Sequence, residues 1–160
     1  MTFYTGGFAN GIRRIFTRGE KFFELSNHLG NVLVTVSDRK IAVSAGGSNV
    51  DYYTGDISSA NDYFPGGMQQ SGRKFNTGDY RYGFNGKELD NEICGKGNVY
   101  DFGDRIYDSR LNRLFSVDNK AAMYPSHSPY NYAVGNPIFF IDPDGNSVEP
   151  SNIVVTKERG

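Results

Sequence analysis

Few side chains in this sequence are of types that do covalent or metal chemistry, and each has a limited reach. Cys94 is the single cysteine of 160 residues, so neither an internal disulfide framework nor a cysteine-based metal cluster can form, and an unpaired loop thiol is expected. His28 and His127 lie far apart, with no carboxylate or cysteine at ligand spacing, so no metal site is expected. The glycines of Gly95-Lys-Gly97 and Gly66-Gly67 lack the strand-to-helix context of a phosphate cradle and read as turns. Asp142-Pro-Asp-Gly145 places Asp first, Pro second and Gly fourth, the pattern of a hydrogen-bonded turn. Taken alone, Asp118 is a cap or strand-end carboxylate and Arg105 a surface or ion-pair residue. Tyr52 and Tyr53, if exposed, offer rings that stack on sugars or on a partner.

The elements that must position these groups follow from composition. Twenty Gly, eleven Tyr, twelve Phe and no Trp, with 38% hydrophobic residues, describe a turn-rich chain whose rings supply the burial that Leu and Ile do not. Antiparallel β structure is expected, in one modest domain. Seventeen Lys+Arg against eighteen Asp+Glu, net charge -1, give no broad field for nucleic acid. No apolar run approaches ~18 residues, so no membrane insertion is expected, and the first ten residues lack the pattern of a secretion signal.

Residues 21–44 give the cleanest pattern. Lys21-Phe-Phe-Glu-Leu-Ser and Val32-Leu-Val-Thr-Val flank Asn27-His-Leu-Gly-Asn, a β-hairpin whose Gly30 and Asn31 tolerate positive φ. Ser37-Asp-Arg-Lys40 reads as the next turn and Ile41-Ala-Val-Ser as a third short strand. From 45 to 83 glycines interrupt the chain, and short strands with long turns are expected. A second hairpin is expected over about 80–107, entered through an Asn85-Gly86 turn with Cys94-Gly-Lys-Gly-Asn98 near its tip. Leu114–Asp118 reads as a strand, 128–135 as a short helix with Ser128 as N-cap and Pro129 at its first position. Ile138–Ile141 reads as a buried strand, and the last residues as a frayed tail.

These segments, in this order, resemble the RHS repeat-associated core of the RHS/YD-repeat family, in its Bacteroidetes form. The resemblance runs from about Glu24 to Asn146 through Leu25-Ser-Asn-His-Leu-Gly-Asn-Val, Tyr63-Phe-Pro-Gly-Gly-Met68 and Tyr80-Arg-Tyr-Gly-Phe-Asn-Gly-Lys-Glu88. It continues through Tyr107-Asp-Ser-Arg-Leu-Asn-Arg-Leu-Phe-Ser-Val-Asp118, Ser128-Pro-Tyr-Asn-Tyr-Ala and Asn136-Pro-Ile-Phe-Phe-Ile-Asp-Pro-Asp-Gly145. It implies a mainly β fold: antiparallel hairpins and meander of a hollow shell, with one short helix near 128–135. The implied organisation is an N-terminal repeat remnant or linker (1–23), the core (24–146) and a short C-terminal tail (147–160). The implied partners are upstream RHS/YD repeats of the same parent chain and a C-terminal effector, often a toxin, in a secreted or cell-surface parent.

In toxin-bearing members of the family the core also cuts its own chain, as an aspartyl protease using a pair of aspartates. Carried onto this sequence, the pair is Asp118 and Asp142, with Arg105 as the orienting or oxyanion-stabilising cation, in the motif Pro137-x-x-x-x-Asp142-Pro143-x-Gly145. The cut would fall between Asn146 and Ser147. Two close carboxylates cannot both ionise cheaply, so the ionised member can activate water while its protonated partner donates to the scissile carbonyl. Two departures from the pattern favour a structural role: Asn146 stands where self-cleaving members have Leu, and Asn119 follows Asp118 where they have Pro. Three readings therefore stand: a structural core or plug segment, an active intramolecular aspartyl autoprotease, and a surface module binding glycan or protein. None calls for a cofactor.

Overall fold

The computed structural model describes residues 17–46, 49–78 and 80–151. The first sheet is an antiparallel meander of four strands in sequence order: β1 (Phe22–Ser26), β2 (Val32–Val43), β3 (Tyr52–Tyr63) and β4 (Gln69–Asn76). A second, smaller meander follows: β5 (Glu88–Leu89), β6 (Val99–Asp101), β7 (Ile106–Asp108) and β8 (Arg113–Leu114). β9 (Phe140–Ile141) pairs with β10 (Glu149–Pro150). The described helical pieces are single 3-10 turns, so the chain is mainly antiparallel β as expected.

The first hairpin forms where its residues direct it. Asn27 Oδ1 accepts the amides of Leu29 at 3.0 Å and Asn31 at 3.1 Å, and Gly30 takes φ 77°, so the reversal is written into five residues. Ser37–Lys40, in contrast, is no turn: β2 runs straight through it. Ser37 pairs with Asp56 and Lys40 with Gly55, leaving Asp38 and Arg39 as a bulge. Ser37 Oγ donates to Asp56 Oδ2 at 3.0 Å, and Asp38 binds the amides of Gly19 and Lys21. The polar cluster is thus satisfied inside the sheet instead of ending it. The expected short strands of 45–83 are also longer than their glycines suggest, because β3 spans twelve residues. Gly55 is tolerated there opposite the bulge, where a Cβ would sit 3.3 Å from Val36 Cγ1.

The two faces of the first sheet differ. Phe22, paired with Ser37, packs on Tyr80 with ring centroids 5.6 Å apart, so Tyr80 lies on the face that carries Thr35, Ser37 and Ser59, all three of them buried. Cross-strand partners share a face. Phe23–Val36–Ile57 and Leu25–Val34–Ala60–Phe75 therefore form two rows on the opposite side, where Phe23, Leu25, Ile57 and Phe75 are exposed. Tyr52 and Tyr53, both exposed, are consecutive strand residues and so point to opposite faces; they make no common stacking platform.

The core sits beside the second sheet. Phe84, Tyr100, Phe102, Tyr107, Leu114, Tyr132 and Ala133 are buried together, with the Tyr107 and Tyr132 rings 4.3 Å apart and Phe84 stacked on Tyr107 at 6.0 Å. Asn85, at φ 52° and ψ 27°, and Gly86, at φ 66°, form the expected turn that drops Phe84 into this cluster. The turn after β3 reaches the same cluster from the other sheet. Gly67, at φ 84°, lies flat on the Phe84 ring, and a Cβ there would come within 2.4 Å of Phe84 Cγ. Tyr107 and Tyr100 donate to the carbonyls of Gly66 and Gly67 at 2.6 and 3.0 Å.

Three expectations near the C-terminal end change. The short helix at 128–135 condenses to one 3-10 turn, Ala133–Gly135. Ser128 Oγ accepts only the Tyr130 amide, at 3.3 Å, because Ala133 and Val134 adopt φ 47° and 45°, which no right-handed helix can include. The strand expected at Ile138–Ile141 is confined to its last two residues, and Ile138 and Phe139 are exposed. Residues 149–151 fold back onto it, with Ser151 N donating to Phe139 O at 2.8 Å, so the start of the expected frayed tail is paired; residues 152–160 and 1–16 lie outside the described residues. Because Gly67 has neither room for a Cβ nor a φ that suits one, Gly67→Ala is expected to lower unfolding free energy by about 3 kcal/mol in chemical denaturation.

Candidate functional site

Arg105, Asp118 and Asp142 come from three separate segments, and the structure brings them together. Arg105 ends the tight reversal between β6 and β7, where Phe102 N donates to Arg105 O at 3.1 Å and Gly103 takes φ 100°. Asp118 follows β8 and is fixed by its own amide, which donates to Pro129 O at 2.9 Å. Asp142 follows β9, at the point where the chain turns back toward β10.

The Arg105 guanidinium is the hub. Its Nη2 donates to Asp118 Oδ2 at 2.9 Å and reaches Asp142 Oδ2 at 3.5 Å. Its Nη1 donates to Pro129 O at 3.3 Å, and its Nε donates to the Gly145 carbonyl. Arg105 and Asp142 are 3% and 1% exposed, so this is a buried ion cluster whose charges are offset mainly by one another. Asp142 is further committed through Oδ1, which accepts the Gly145 amide at 2.9 Å and the Ser147 amide at 3.2 Å. Burial pushes the Asp142 carboxyl up to about 6, with the Arg105 charge as the main opposing influence. Burial, and then the Asp142 charge, push the Tyr132 hydroxyl upward as well.

The rest of the motif is placed as follows. Pro137 is buried and Pro143 exposed, with the Pro143 carbonyl accepting Lys87 Nζ at 2.6 Å. Gly145, at φ 83°, packs against the Arg105 backbone, and a Cβ would lie 3.2 Å from Arg105 N. Asn146 is buried at 4% exposure; its Nδ2 donates to Asp104 Oδ2, and its Oδ1 has no partner among the described residues. Ser147 Oγ contacts Lys120 Nζ and donates to Asp144 Oδ2 at 3.1 Å.

Asp104, Asp144 and Lys120 were not singled out by sequence. Asp144 was findable, since a carboxylate two residues before an amide commonly caps it, and here Oδ1 accepts Asn146 N at 2.9 Å and Ser147 N at 2.7 Å. Asp104 and Lys120 reach Asn146 and Ser147 only through the fold. Among the described residues no group of three or more His, Cys, Asp or Glu is placed to hold a metal. His28 and His127 are exposed, and Cys94 is a free thiol in the loop between β5 and β6. No described helix is long and apolar enough to cross a membrane.

No family model matches the chain. Salivary gland surface protein 1 of Aedes aegypti is 32% identical over 103 residues, a match that covers 62% of this chain and 3% of that protein. A chain of the solved TcdB2-TccC3-Cdc42 structure is similar in fold, with a TM-score of 0.56 and 17% identity, over 91% of this chain and 6% of that one. This chain therefore spans a small part of the length of either relative, and the structural likeness is one of fold.

The raised Asp142 carboxyl sets a pH dependence. The folded state binds this proton more tightly than the unfolded chain, so its contribution is complete below about pH 4 and is lost as pH rises through about 6. The difference in unfolding free energy between wild type and Asp142→Asn should therefore fall across that window and be flat on either side. A difference that rises with pH there would show that the Arg105 charge outweighs burial.

Proposed function

We propose that this chain is a core segment of an RHS-type shell protein, mainly structural, in which the Arg105 cluster fastens the Asp142–Ser147 turn against the aromatic core. The observation that carries this reading is the fold likeness over 91% of the chain to a small part, 6%, of a much larger chain. Two features of the first sheet support it. Its apolar rows are exposed, and among the described residues β1 is an edge strand, the position at which a preceding hairpin of the parent would add. Upstream repeats are the partner proposed for that edge. Placement of the parent at a cell surface accords with the name of the mosquito relative.

A second reading, an intramolecular protease cutting between Asn146 and Ser147, is favoured by one contact. Asp142 Oδ1 lies 3.2 Å from the Ser147 nitrogen, the leaving group of such a cut. Against a water-activating aspartate pair, Arg105 Nη2 sits between the Asp118 and Asp142 carboxylates, where a shared proton would lie. The structural reading therefore comes first, and an effector released by the cut belongs to the second.

Electron cryomicroscopy of the full-length parent tests the first reading: an upstream strand should be hydrogen-bonded to β1, continuing the sheet. A free β1 edge in a detached domain would overturn it. Intact-mass measurement of the parent tests the second. A fragment ending at Asn146, lost in Asp118→Asn and in Asp142→Asn, is the result it requires, and a parent that stays whole rejects it.

A further inference from the structure

We propose that Asn146 severs the chain itself: its side-chain amide nitrogen, held by Asp104, attacks its own backbone carbonyl and breaks the Asn146–Ser147 bond, leaving a C-terminal succinimide. The proposal rests on the self-cleavage reading for the position of the cut alone, and it replaces the attacking water with a group of the chain.

Three requirements of this chemistry are met by named contacts. The nucleophile is an amide nitrogen, weak until a base accepts one of its protons, and Asn146 Nδ2 donates to Asp104 Oδ2. The buried Oδ1 receives no hydrogen bond from the described residues that would draw the nitrogen lone pair further into the amide. The leaving group needs a proton as its bond to carbon breaks: in the resting chain Ser147 N donates to Asp142 Oδ1 at 3.2 Å, so Asp142 is the carboxyl within reach once that nitrogen becomes basic. That carboxyl is pushed up to about 6 by burial, so a protonated form is accessible near neutral pH. The segment must also stay still: Arg105 Nε holds the Gly145 carbonyl, and Asp144 Oδ1 holds the amides of Asn146 and Ser147 at 2.9 and 2.7 Å. Nucleophile and carbonyl belong to one residue, so ring closure carries no cost of bringing two molecules together. At 4% exposure, Asn146 leaves little room for competing water.

The step balances within the chain. The Nδ2–carbonyl carbon bond forms as one Nδ2 proton passes to Asp104. The carbon–nitrogen bond to Ser147 then breaks with its electron pair going to nitrogen, and Asp142 supplies the proton that makes a free α-amine. Asp104 gains one proton and Asp142 loses one, both restored by exchange with solvent. Nothing is oxidised or reduced.

The test is incubation of the full-length protein in heavy-oxygen water over days at neutral pH, with intact-mass measurement of the earliest product. The expected N-terminal fragment ends at Asn146, is one water lighter than the free acid and carries no heavy oxygen. Asn146→Leu should abolish it, and Asp104→Asn should slow it about a hundredfold. Circular dichroism establishes whether each variant folds, and the wild-type product mass decides the matter without any variant. A fragment that from its earliest appearance carries a heavy-oxygen α-asparagine terminus alone, with neither succinimide nor isoasparagine, sinks this proposal while keeping the self-cleavage reading, because water is then the nucleophile. A chain that deamidates but stays whole, or does not react, sinks both and leaves the shell-segment reading untouched.

Discussion

A buried guanidinium must have its donors answered, and this requirement organises the C-terminal third of the fold. The partners of Arg105 lie at Asp118, Pro129, Asp142 and Gly145, four positions with little regular structure to hold them in place. Removing one partner from such a cluster typically costs about 3–5 kcal/mol, because the remaining charge is left uncompensated in a poorly solvated site. The segment from 115 to 147 is thus organised less by strands than by the need to surround one cation. The ladder pairings that touch this segment are short, β9 with β10 and the bridge from Arg113 to Asn131.

The aromatic core meets a related constraint. Tyrosine supplies ring area, but each buried hydroxyl must find a partner. Tyr63 donates to Val32 O at 3.0 Å, Tyr100 and Tyr107 donate to the glycine carbonyls of the β3–β4 turn, and the Tyr132 hydroxyl accepts Asn85 Nδ2 at 2.6 Å. The hydroxyls therefore tie loops to the ring cluster, which a core of leucines could not do. Gly66 and Gly67 are where the chain comes close enough for this, and Gly145 serves the same end beside Arg105.

What was legible in the sequence was local. The Asn27–Asn31 reversal, the Asn85–Gly86 turn and the Asx geometry of Asp142 each depend on side chains within a few residues of the backbone they bind. The order of motifs also pointed to Arg105, Asp118 and Asp142, which the fold does assemble. What was not legible depended on register. Ser37–Lys40 has turn composition, yet the partner strand accepts it as a bulge; Gly55 of β3 is accommodated opposite Lys40 and against Val36, both well outside its local sequence. Asp104 meets Asn146 only because the β6–β7 reversal is stacked on the Asp142 turn, where Asp104 N donates to Asp144 O at 3.3 Å. The left-handed Ala133 and Val134 had no sequence signal, since neither residue type favours that conformation.

The contact of Gly67 with Phe84 has a consequence for how the protein opens. A glycine from the turn of the first sheet is seated on Phe84, a ring of the cluster beside the second sheet, with two tyrosine hydroxyls bonded to that turn. The outer meander therefore cannot detach without exposing the inner aromatic cluster to water. Among the described residues no ladder joins the two sheets, yet this contact should make them open as a single foldon, the slowest amide exchange of both reporting one global opening instead of two local ones.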